Sequence, residues 1–315
     1  MRRLLGQPLV RHGAQGQAMR LTWLVVAAIF GASFSASLST SLSTHAAPIS
    51  LRDDSGYTVT LPGPAQRVVT LSPHLAELVY AAGGGQRLVG VMRYSDFPAA
   101  VVKLPVIGDA FAVNLEAIAA LKPDLLLVWA SGLNPRQQDA VRGLGIPVFA
   151  SETTSVQGIA DTLRQIGLLL DTPSQANAAA RDTLARWQAL RSRYAGRPPV
   201  RVFYQLWHEP LMTVNHAHLI DQAIRACGGV NVFADQPVLT PTVGWEAAVL
   251  ANPQLVATGA SPDEPARLAG WQRFAQVDAV KRGQLVALDS AAMARMSPRF
   301  VDAAALLCAA IDKAR

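Results

Sequence analysis

The sequence predicts an α/β protein with two Rossmann-like lobes, each built on a parallel sheet. A single long backbone helix joins the lobes, and a ligand cleft lies between them. Short apolar runs typical of buried strands alternate with helical patterns over residues 67–151 and again over residues 200–289. Such alternation favours parallel sheets covered by helices on both faces. Between these regions, residues 156–195 contain helical patterns and no strand pattern.

A repeated phrase supports the two-lobe interpretation. It reads NLEAIAALKPDLLLVWASG at residues 114–132 and VGWEAAVLANPQLVATGA at residues 243–260. Glu116 and Glu246 each precede a proline by seven residues, and the copies are offset by 130 residues. A second similar pair, HLAELVYAAGG and HLIDQAIRACGG, occurs in the same order. Two repeats in one order predict that the lobes share one architecture.

Local signals justify the elements of the N-terminal lobe. Ser72 and Pro73 supply an N-cap and a first-turn proline for a helix that the glycines at 83–85 end. Asn114 caps the next helix, and Pro123 stops it. The predicted strands lie at residues 57–62, 67–71, 87–94, 125–129 and 146–151, and a third helix lies at 135–145.

Similar patterns predict the elements of the connecting segment and the C-terminal lobe. Leu184, Trp187 and Leu190 recur at helical spacing, which predicts a long amphipathic helix in the connection. In the second lobe, strands are predicted at 200–207, 255–260 and 284–289, and helices at 218–229, 245–253 and 300–314. The resulting boundaries are a signal peptide at 1–47, an N-terminal lobe at 48–152, a helical linker at 153–197 and a C-terminal lobe at 198–315.

Residues 1–47 have the anatomy of a secretory signal peptide: a basic start, an apolar run and small residues before a cut near Ala46–Ala47. The alternative is a membrane anchor. However, the apolar run from Leu21 to about Ala32 is shorter than the roughly 20 residues that a spanning helix needs. The sequence therefore predicts export to the periplasm, signal cleavage and no membrane anchor.

The charge balance argues against nucleic-acid binding. The chain has 28 basic and 22 acidic residues, and four of the arginines lie in the signal segment, which leaves 24 basic residues in the mature part. No cluster of Lys and Arg with interleaved aromatic residues occurs there. A small excess of positive charge without such a cluster does not indicate a nucleic-acid partner.

Cys227 and Cys308 are the two cysteines of the chain. In an exported protein an even, sparse count is typical of one disulfide, and the alternative is a pair of unpaired buried thiols. Neither cysteine follows the signal segment directly, so the sequence gives no site for a lipid anchor on a mature N-terminal cysteine.

Enzyme motifs are absent from the mature sequence. It contains no G-x-S-x-G, P-loop, His-Glu-x-x-His or Cys-x-x-Cys motif. His216 and His218 flank one alanine, and without further ligands a solvated pair is expected there instead of a metal site. The sequence therefore predicts a protein that is not an enzyme and has no resident metal or cofactor.

A binding cleft is the favoured alternative to catalysis, because ligands collect beyond the carboxyl ends of parallel strands. Several flat or polarisable side chains stand at predicted strand ends or in later loops of a chain with only 6% aromatic residues. Each alone is compatible with core packing, but together they favour a broad, partly apolar ligand. These residues are Tyr94, Trp129, Trp207, His208, Met212 and Arg295.

The repeated glutamates suggest a second function. Each stands near the start of a helix, where the helix dipole stabilises a carboxylate by roughly 0.3–1 kcal/mol, and this explains either residue alone. Two carboxylates at corresponding places on two related lobes would also match a partner with two equivalent cationic sites, such as a two-fold symmetric dimer. Glu116 and Glu246 are therefore candidate docking residues.

Longer segments resemble a known family. RVVTLSPHLAELVYAAGGGQRLVGVMRYSDFPAAVVKLPVIGD, NLEAIAALKPDLLLVW, RACGGVNVF and SPRFVDAAALLCAAI are similar to the periplasmic cobalamin-binding proteins of ABC importers. That class shares the helical-backbone, two-lobe fold with ferric-siderophore and haem binders. The resemblance covers nearly the whole mature chain.

The resemblance implies roles for individual residues. It places Tyr94, Trp129 and Arg295 in the corrinoid cleft. It makes Glu116 and Glu246 carboxylates that pair with arginines on the two permease subunits of the importer. It also joins Cys227 to Cys308. The implied ligand is a cobalt corrinoid, and the protein is expected to be a monomer.

Some positions depart from the family pattern. Where cobalamin binders of this family have further tryptophans, a phenylalanine and an aspartate, this chain has Ala110, Thr240, Met212 and Ala291. Phe111 stands beside the first of these, and Trp207 and His208 are candidates to compensate. The departures leave a ferric-siderophore or haem binder as the alternative on the same fold. A zinc or manganese receptor and an α/β enzyme are further alternatives.

Overall fold

The computed structural model describes residues 47–260 and 265–315. The predicted signal peptide, apart from its last residue, lies outside these ranges. None of the helices within them combines the length and the apolar character needed to cross a membrane.

The first lobe contains a four-stranded parallel sheet in the order β4-β3-β5-β6. A separate antiparallel pair, β1 with β2, precedes it. The strands are β1 (Ile49–Arg52), β2 (Thr58–Leu61), β3 (Val68–Thr70), β4 (Leu88–Val91), β5 (Leu125–Trp129) and β6 (Val148–Ser151). The helices are α1 (Pro73–Ala81), α2 (Leu115–Ala120) and α3 (Pro135–Arg142), with 3-10 turns at Gly85–Arg87, Ala99–Lys103 and Ala130–Gly132.

The second lobe contains a parallel sheet in the order β10-β7-β11-β12 and a short antiparallel hairpin, β8 with β9. Its strands are β7 (Val200–Gln205), β8 (Trp207–His208), β9 (Leu211–Met212), β10 (Gly229–Asn231), β11 (Leu255–Ala260) and β12 (Leu285–Asp289). Its helices are α6 (Leu219–Ala226), α7 (Trp245–Leu250), α8 (Asp278–Lys281), α9 (Ser290–Met293) and α10 (Arg299–Lys313), with a 3-10 helix at Pro265–Trp271.

Both sheets have the same strand order. In each, the first parallel strand lies beside the second on one side and beside the third on the other, and the fourth occupies an edge. The two repeated phrases fall on α2–β5 and α7–β11, which occupy matching places in this order. The predicted fold class, two α/β lobes of related architecture, is confirmed.

Two helices connect the lobes, α4 (Val156–Leu169) and α5 (Pro173–Tyr194). The 22-residue α5 packs against α4, against α1 of the first lobe and against α6 and α10 of the second. Its buried face carries Ala176, Ala180 and Thr183, and Leu184, Trp187 and Leu190 pack partly buried against the same core. At 1.5 Å per residue α5 is about 33 Å long, so it forms the predicted backbone helix.

Alternate side chains of each central strand enter different cores. In β3, Val68 lies in the large core that runs from the first lobe through α4 and α5 into the second, whereas Val69 lies in a smaller core under α2. In β7, Val202 lies in the large core and Phe203 in a third core with Trp271. Both sheets are therefore covered on both faces, which explains the nearly continuous apolar strand sequences.

Cys227 and Cys308 form a disulfide, with Cα atoms 4.8 Å apart, that joins the end of α6 to α10. Both residues are fully buried. The pairing matches the expectation for an exported protein with two cysteines.

Three details of secondary structure differ from the sequence predictions. The strand predicted at 200–207 ends at Gln205, and Trp207–His208 belongs to a separate hairpin with Leu211–Met212. Three short strands, β1, β9 and β10, were not predicted, because runs of two to four residues are too short to show a clear apolar pattern. The four-residue helices α8 and α9 were not predicted either.

Candidate functional site

A cavity of about 290 Å³ lies between the two lobes. Trp129, at the end of β5, contributes from the first lobe, and the other lining residues come from the second. The cavity therefore lies beyond the carboxyl ends of β5, β7 and β11, where parallel sheets commonly bind ligands. Its main lining side chains are Trp129, Tyr204, His218, Arg267, Met293 and Met296.

Trp129 is held in place by polar and aromatic contacts. Its indole Nε1 donates to Glu152 Oε1 at 3.1 Å, and Glu152 also accepts from the Ser131 backbone N–H at 2.8 Å. The edge of His74 meets the indole ring at a centroid distance of 5.7 Å and an angle of 84°. Gly132 approaches the ring so closely that an added Cβ would lie 2.5 Å from it. The ring therefore has a fixed orientation before any ligand arrives.

His74 is buried behind Trp129, with 3% of its surface exposed. Its Nδ1 shares a hydrogen bond of 2.7 Å with Ser72 Oγ, while Nε2 has no partner within the described residues. Burial, and to a smaller extent the charge of Arg295, lowers the pKa of His74 to about 3. The imidazole is therefore neutral at ordinary pH, which suits its place beside an apolar ring.

A cluster of charged groups joins the lobes beside the cavity. Glu77 of α1 accepts hydrogen bonds from Ser297 Oγ at 2.5 Å and Arg299 Nη1 at 3.1 Å, both from the second lobe. Arg295 Nε lies 3.7 Å from Glu77 Oε1. Burial raises the pKa of Glu77, although Ser297, Arg299 and Arg295 oppose that shift. We call Glu77, Arg295, Ser297 and Arg299 the interlobe cluster.

Tyr94 and Arg295 are brought together by this cluster. Arg295 Nη2 donates to the backbone oxygen of Tyr94 at 2.8 Å and lies 3.7 Å from Asp96 Oδ1. The Tyr94 side chain is 73% exposed, and its φ of 66° is in the left-handed region that disfavours a tyrosine. Strained, exposed aromatic residues of this kind cluster at ligand sites.

Arg267 connects the β8–β9 hairpin to the cavity, because it contacts Trp207 of the hairpin and also lines the cavity. The Arg267 guanidinium stacks over the Trp207 ring at 4.9 Å, and Trp207 Nε1 donates to Glu209 O at 2.9 Å. His208 lies beside Trp207 with ring centroids 5.2 Å apart, and Met212 pairs with Trp207 in the hairpin. These three predicted residues therefore lie together, around an arginine that reaches the cavity.

The two glutamates of the repeated phrase occupy matching, exposed positions. Glu116 is the second residue of α2, and Glu246 is the second residue of α7. Each helix ends at a residue with positive φ directly before a proline, Lys122 at 47° and Asn252 at 40°. Within the described residues neither carboxylate forms an ion pair, so both are available to a partner.

The correspondence extends to the arginines beneath these helices. Arg67 Nη2 donates to the Leu121 carbonyl at 2.6 Å, and Arg201 Nη2 donates to the Ala251 carbonyl at the equivalent end of α7. Orphan carbonyls at a helix C-terminus favour such cationic donors. The two helix–turn–strand elements are therefore repeated in their contacts as well as in their sequence.

Comparison with known proteins assigns the chain to a family. The family model described as periplasmic binding protein matches residues 68–292. The chain belongs to the periplasmic binding protein family. It is 36% identical over 248 residues to the vitamin B12-binding protein of Vibrio cholerae, covering 78% of this chain and 89% of that protein. The identity to the vitamin B12-binding protein of Yersinia pestis is 37% over 251 residues, covering 79% and 88%.

Solved structures of periplasmic binding proteins also match this chain. The crystal structure of the Vibrio cholerae vitamin B12-binding protein matches with a TM-score of 0.73 and 35% identity, covering 80% of this chain and 98% of that one. A periplasmic haem-binding protein from Pseudomonas aeruginosa matches with a TM-score of 0.71 and 25% identity, covering 78% and 92%. The resemblance to the cobalamin branch found in the sequence is confirmed.

The candidate ligand residues of this periplasmic binding protein divide into three groups. Trp129 lines the cavity, Tyr94 and Arg295 meet beside it, and the hairpin residues reach it through Arg267. Phe111 is 92% exposed and does not line the cavity. Sequence reasoning missed several lining residues because none of them belongs to a recognisable motif: Tyr204, His218, Arg267, Met293 and Met296.

Proposed function

We propose that this protein captures a corrinoid such as cobalamin in the cavity between its lobes and delivers it to an ABC importer of the inner membrane. The observation that carries the proposal is 36% identity, over 89% of the relative's length, to a vitamin B12-binding protein. The chemistry of the lining suits this cargo, since an indole from one lobe and methionines from the other can contact a broad ring system.

The proposed role is binding in the periplasm, as a monomer, with no bond made or broken. Among the described residues no group of three or more His, Cys, Asp or Glu side chains is placed to hold a metal ion. In the proposed role, recognition of a cobalt corrinoid rests on the ring and its substituents, and the metal remains part of the cargo.

Ligand titration tests this proposal. The mature protein is titrated with cyanocobalamin, cobinamide, hemin and a ferric siderophore while tryptophan fluorescence is followed. We expect saturable quenching by the two corrinoids and a loss of most of that quenching in Trp129→Phe. Trp245→Phe serves as the control, because Trp245 lies on α7 and packs against Trp271 and Phe274. Saturation by hemin or the siderophore alone would replace the corrinoid as the cargo.

We further propose that Glu116 and Glu246 dock the protein to the importer. Two exposed, unpaired carboxylates on equivalent elements match two equivalent cationic sites of a two-fold symmetric permease. Charge pairs across such an interface set register and typically cost 2–5 kcal/mol when one partner is lost. Neither glutamate lines the cavity, so their substitution tests docking apart from ligand capture.

The double variant Glu116→Arg with Glu246→Arg is expected to abolish importer-dependent corrinoid uptake and to leave the affinity for cyanocobalamin unchanged. Asp139→Arg with Asp235→Arg is the charge-matched control, since both aspartates are exposed and lie on other elements. Normal uptake by the glutamate variant, or an equal loss in the control, would refute the docking role.

A further inference from the structure

His218 combines two positions that lead to a specific prediction about the ligand. Its side chain is the N-cap of α6, and it lines the cavity between the lobes. His218 Nδ1 accepts a hydrogen bond of 3.1 Å from the backbone N–H of Ile220. A ring nitrogen that accepts cannot also hold a proton, so a neutral ring in this position has its proton on Nε2.

The imidazole is neutral at ordinary pH. Burial lowers the pKa of His218 to about 4, although the charge of Asp221 opposes the shift. Asp221 itself is engaged elsewhere, because Asp221 Oδ2 pairs with Arg225 at 2.6 Å and Oδ1 accepts from Asn231 at 3.0 Å. His218 is therefore a fixed tautomer with an N–H group on the side away from the helix cap.

That N–H group is available to a ligand. Within the described residues, Nε2 of His218 has no hydrogen-bond partner. This nitrogen is also not one of the fully buried atoms that lack a partner. A protonated Nε2 has no lone pair, so this residue is excluded as an axial ligand to a metal as long as it caps α6. It can only donate a hydrogen bond, and it therefore selects a ligand with an acceptor at this place.

We propose that His218 is a specificity-determining residue that donates its Nε2–H to a carbonyl oxygen of a peripheral amide side chain of the corrinoid. This rests on the proposed function, because it assigns one contact within the same cavity. The apolar lining contacts the faces of the corrin ring and comes from Trp129, Leu206 and the two methionines. His218 forms its hydrogen bond with the polar side chains at the edge of that ring.

Three substitutions separate the donor from the cap. His218→Asn retains both functions, because the amide oxygen can accept from Ile220 while the amide nitrogen donates. His218→Asp retains the cap and has no donor when ionised, and His218→Ser retains the cap with a side chain too short to reach into the cavity. All three are expected to unfold within about 2 °C of the parent protein, since each is a favourable N-cap.

The expected result is a loss of cyanocobalamin affinity of about 3- to 10-fold in His218→Ser and at least as much in His218→Asp, as one hydrogen bond predicts. His218→Asn should bind within about two-fold of the parent. Cobinamide, which has the same peripheral amides but no nucleotide, should show the same losses. Equal affinities of all variants would overturn the inference, and a loss confined to cobalamin would place the contact on the nucleotide instead.

A spectroscopic measurement tests the tautomer directly. Aquocobalamin bound to the parent protein should keep its visible absorption bands, because an Nε2–H imidazole cannot displace the cobalt-bound water. A band shift that disappears in His218→Asn would show coordination and overturn the donor role. If the parent protein binds no corrinoid at all, the proposed function fails; if it binds and the variants do not differ, only the role of His218 fails.

Discussion

Among single residues, His74 links the cavity wall to the acid stability of the fold. It lies behind Trp129, and burial with a contribution from Arg295 lowers its pKa from 6.5 to about 3. A depressed histidine pKa means that the unfolded chain binds a proton that the folded chain excludes. The stability that His74 contributes is therefore complete above pH 6.5 and is lost as the pH falls toward 3.

Between pH 6.5 and 4, replacement of His74 by glutamine should remove up to about 1.4 kcal/mol per pH unit from the slope of unfolding free energy against pH. Urea unfolding at several pH values measures this slope. His216→Gln is the control, since His216 is exposed. Equal slopes for the parent and His74→Gln would show that His74 is protonated in the folded protein.

Tyr94 combines an exposed side chain with a left-handed backbone, and two substitutions separate these features. Glycine adopts a φ of 66° without strain, whereas alanine is strained as tyrosine is. We expect Tyr94→Gly to be more stable than Tyr94→Ala by about 1 kcal/mol. Both variants should lose ligand affinity equally, because both lack the ring. Guanidinium unfolding and ligand titration measure the two effects, and unimpaired binding by both would remove Tyr94 from the site.

Among the secondary-structure elements, the two repeated helix–turn–strand units are the most informative. Their helices have only six residues each, so their ends matter more than their length. Arg67 and Arg201 satisfy the last carbonyl groups of α2 and α7. These contacts hold the helix that carries each proposed docking glutamate against its sheet.

Replacement of Arg67 and Arg201 by methionine should lower the unfolding free energy by about 0.5–1.5 kcal/mol for each arginine, because each removes hydrogen bonds to a helix end. Importer-dependent uptake should fall further than this loss of stability explains, while ligand affinity stays constant. Arg136→Met, at an exposed position of α3, is the control. If uptake falls only as far as the loss of stability explains, the two arginines have a structural role and no role in docking.

The elements also indicate how far sequence reasoning reaches. The central strands β3, β5 and β11 were predictable because burial on both faces gives a continuous apolar run, as in Leu125–Trp129. Edge strand β10 was not, since three residues contain no pattern. The break between β7 and β8 was also hidden, because Trp207 and His208 continue an apolar sequence although they are exposed.

The place of Trp129 at the cavity was predictable because it ends a strand, and the repeated phrase identified the matching positions of Glu116 and Glu246. His218 and Arg267 were missed for a physical reason: their function depends on where the polypeptide brings them. A histidine before a helix carries no binding motif in sequence, and only the fold places His218 both at the N-cap of α6 and in the lining of the cavity. The direction of the Arg295 guanidinium, toward Glu77 and the Tyr94 backbone, likewise follows from lobe packing.

Across the whole molecule, three features couple the two lobes: α5, the large shared core and the interlobe cluster. The shared core and the buried face of α5 are apolar, and burial of apolar surface is the dominant favourable contribution to such packing. The interlobe cluster is different, because it buries Glu77 at 4% exposure among groups from the second lobe. Buried ion pairs are weak evidence for stability, since desolvation can exceed the attraction.

The direction of the shift in the Glu77 pKa indicates whether this residue stabilises the fold or positions its neighbours. Burial raises this pKa in spite of Ser297, Arg299 and Arg295, so the ionised carboxylate is held at a net cost. For a carboxyl group with a raised pKa, the stability contribution is complete below the ordinary value of 4.5 and is lost as the pH rises through the folded-state pKa. Glu77 therefore serves geometry more than stability: it lies against Arg295, which in turn donates to the backbone of Tyr94.

Glu77→Gln should accordingly retain or increase the unfolding free energy at pH 7, with the difference from the parent vanishing near pH 4. Its ligand affinity should fall about 3- to 10-fold, because Arg295 loses its anchoring charge. Asp302→Asn is the matched control: it breaks the exposed pair of Asp302 with Arg186, which is worth less than about 1 kcal/mol, and leaves binding unchanged. Denaturant unfolding at pH 4 and 7, combined with cyanocobalamin titration, measures both effects. A loss of 3–5 kcal/mol at pH 7 in Glu77→Gln would mean that attraction outweighs burial, and that the cluster holds the lobes together instead of arranging the cavity.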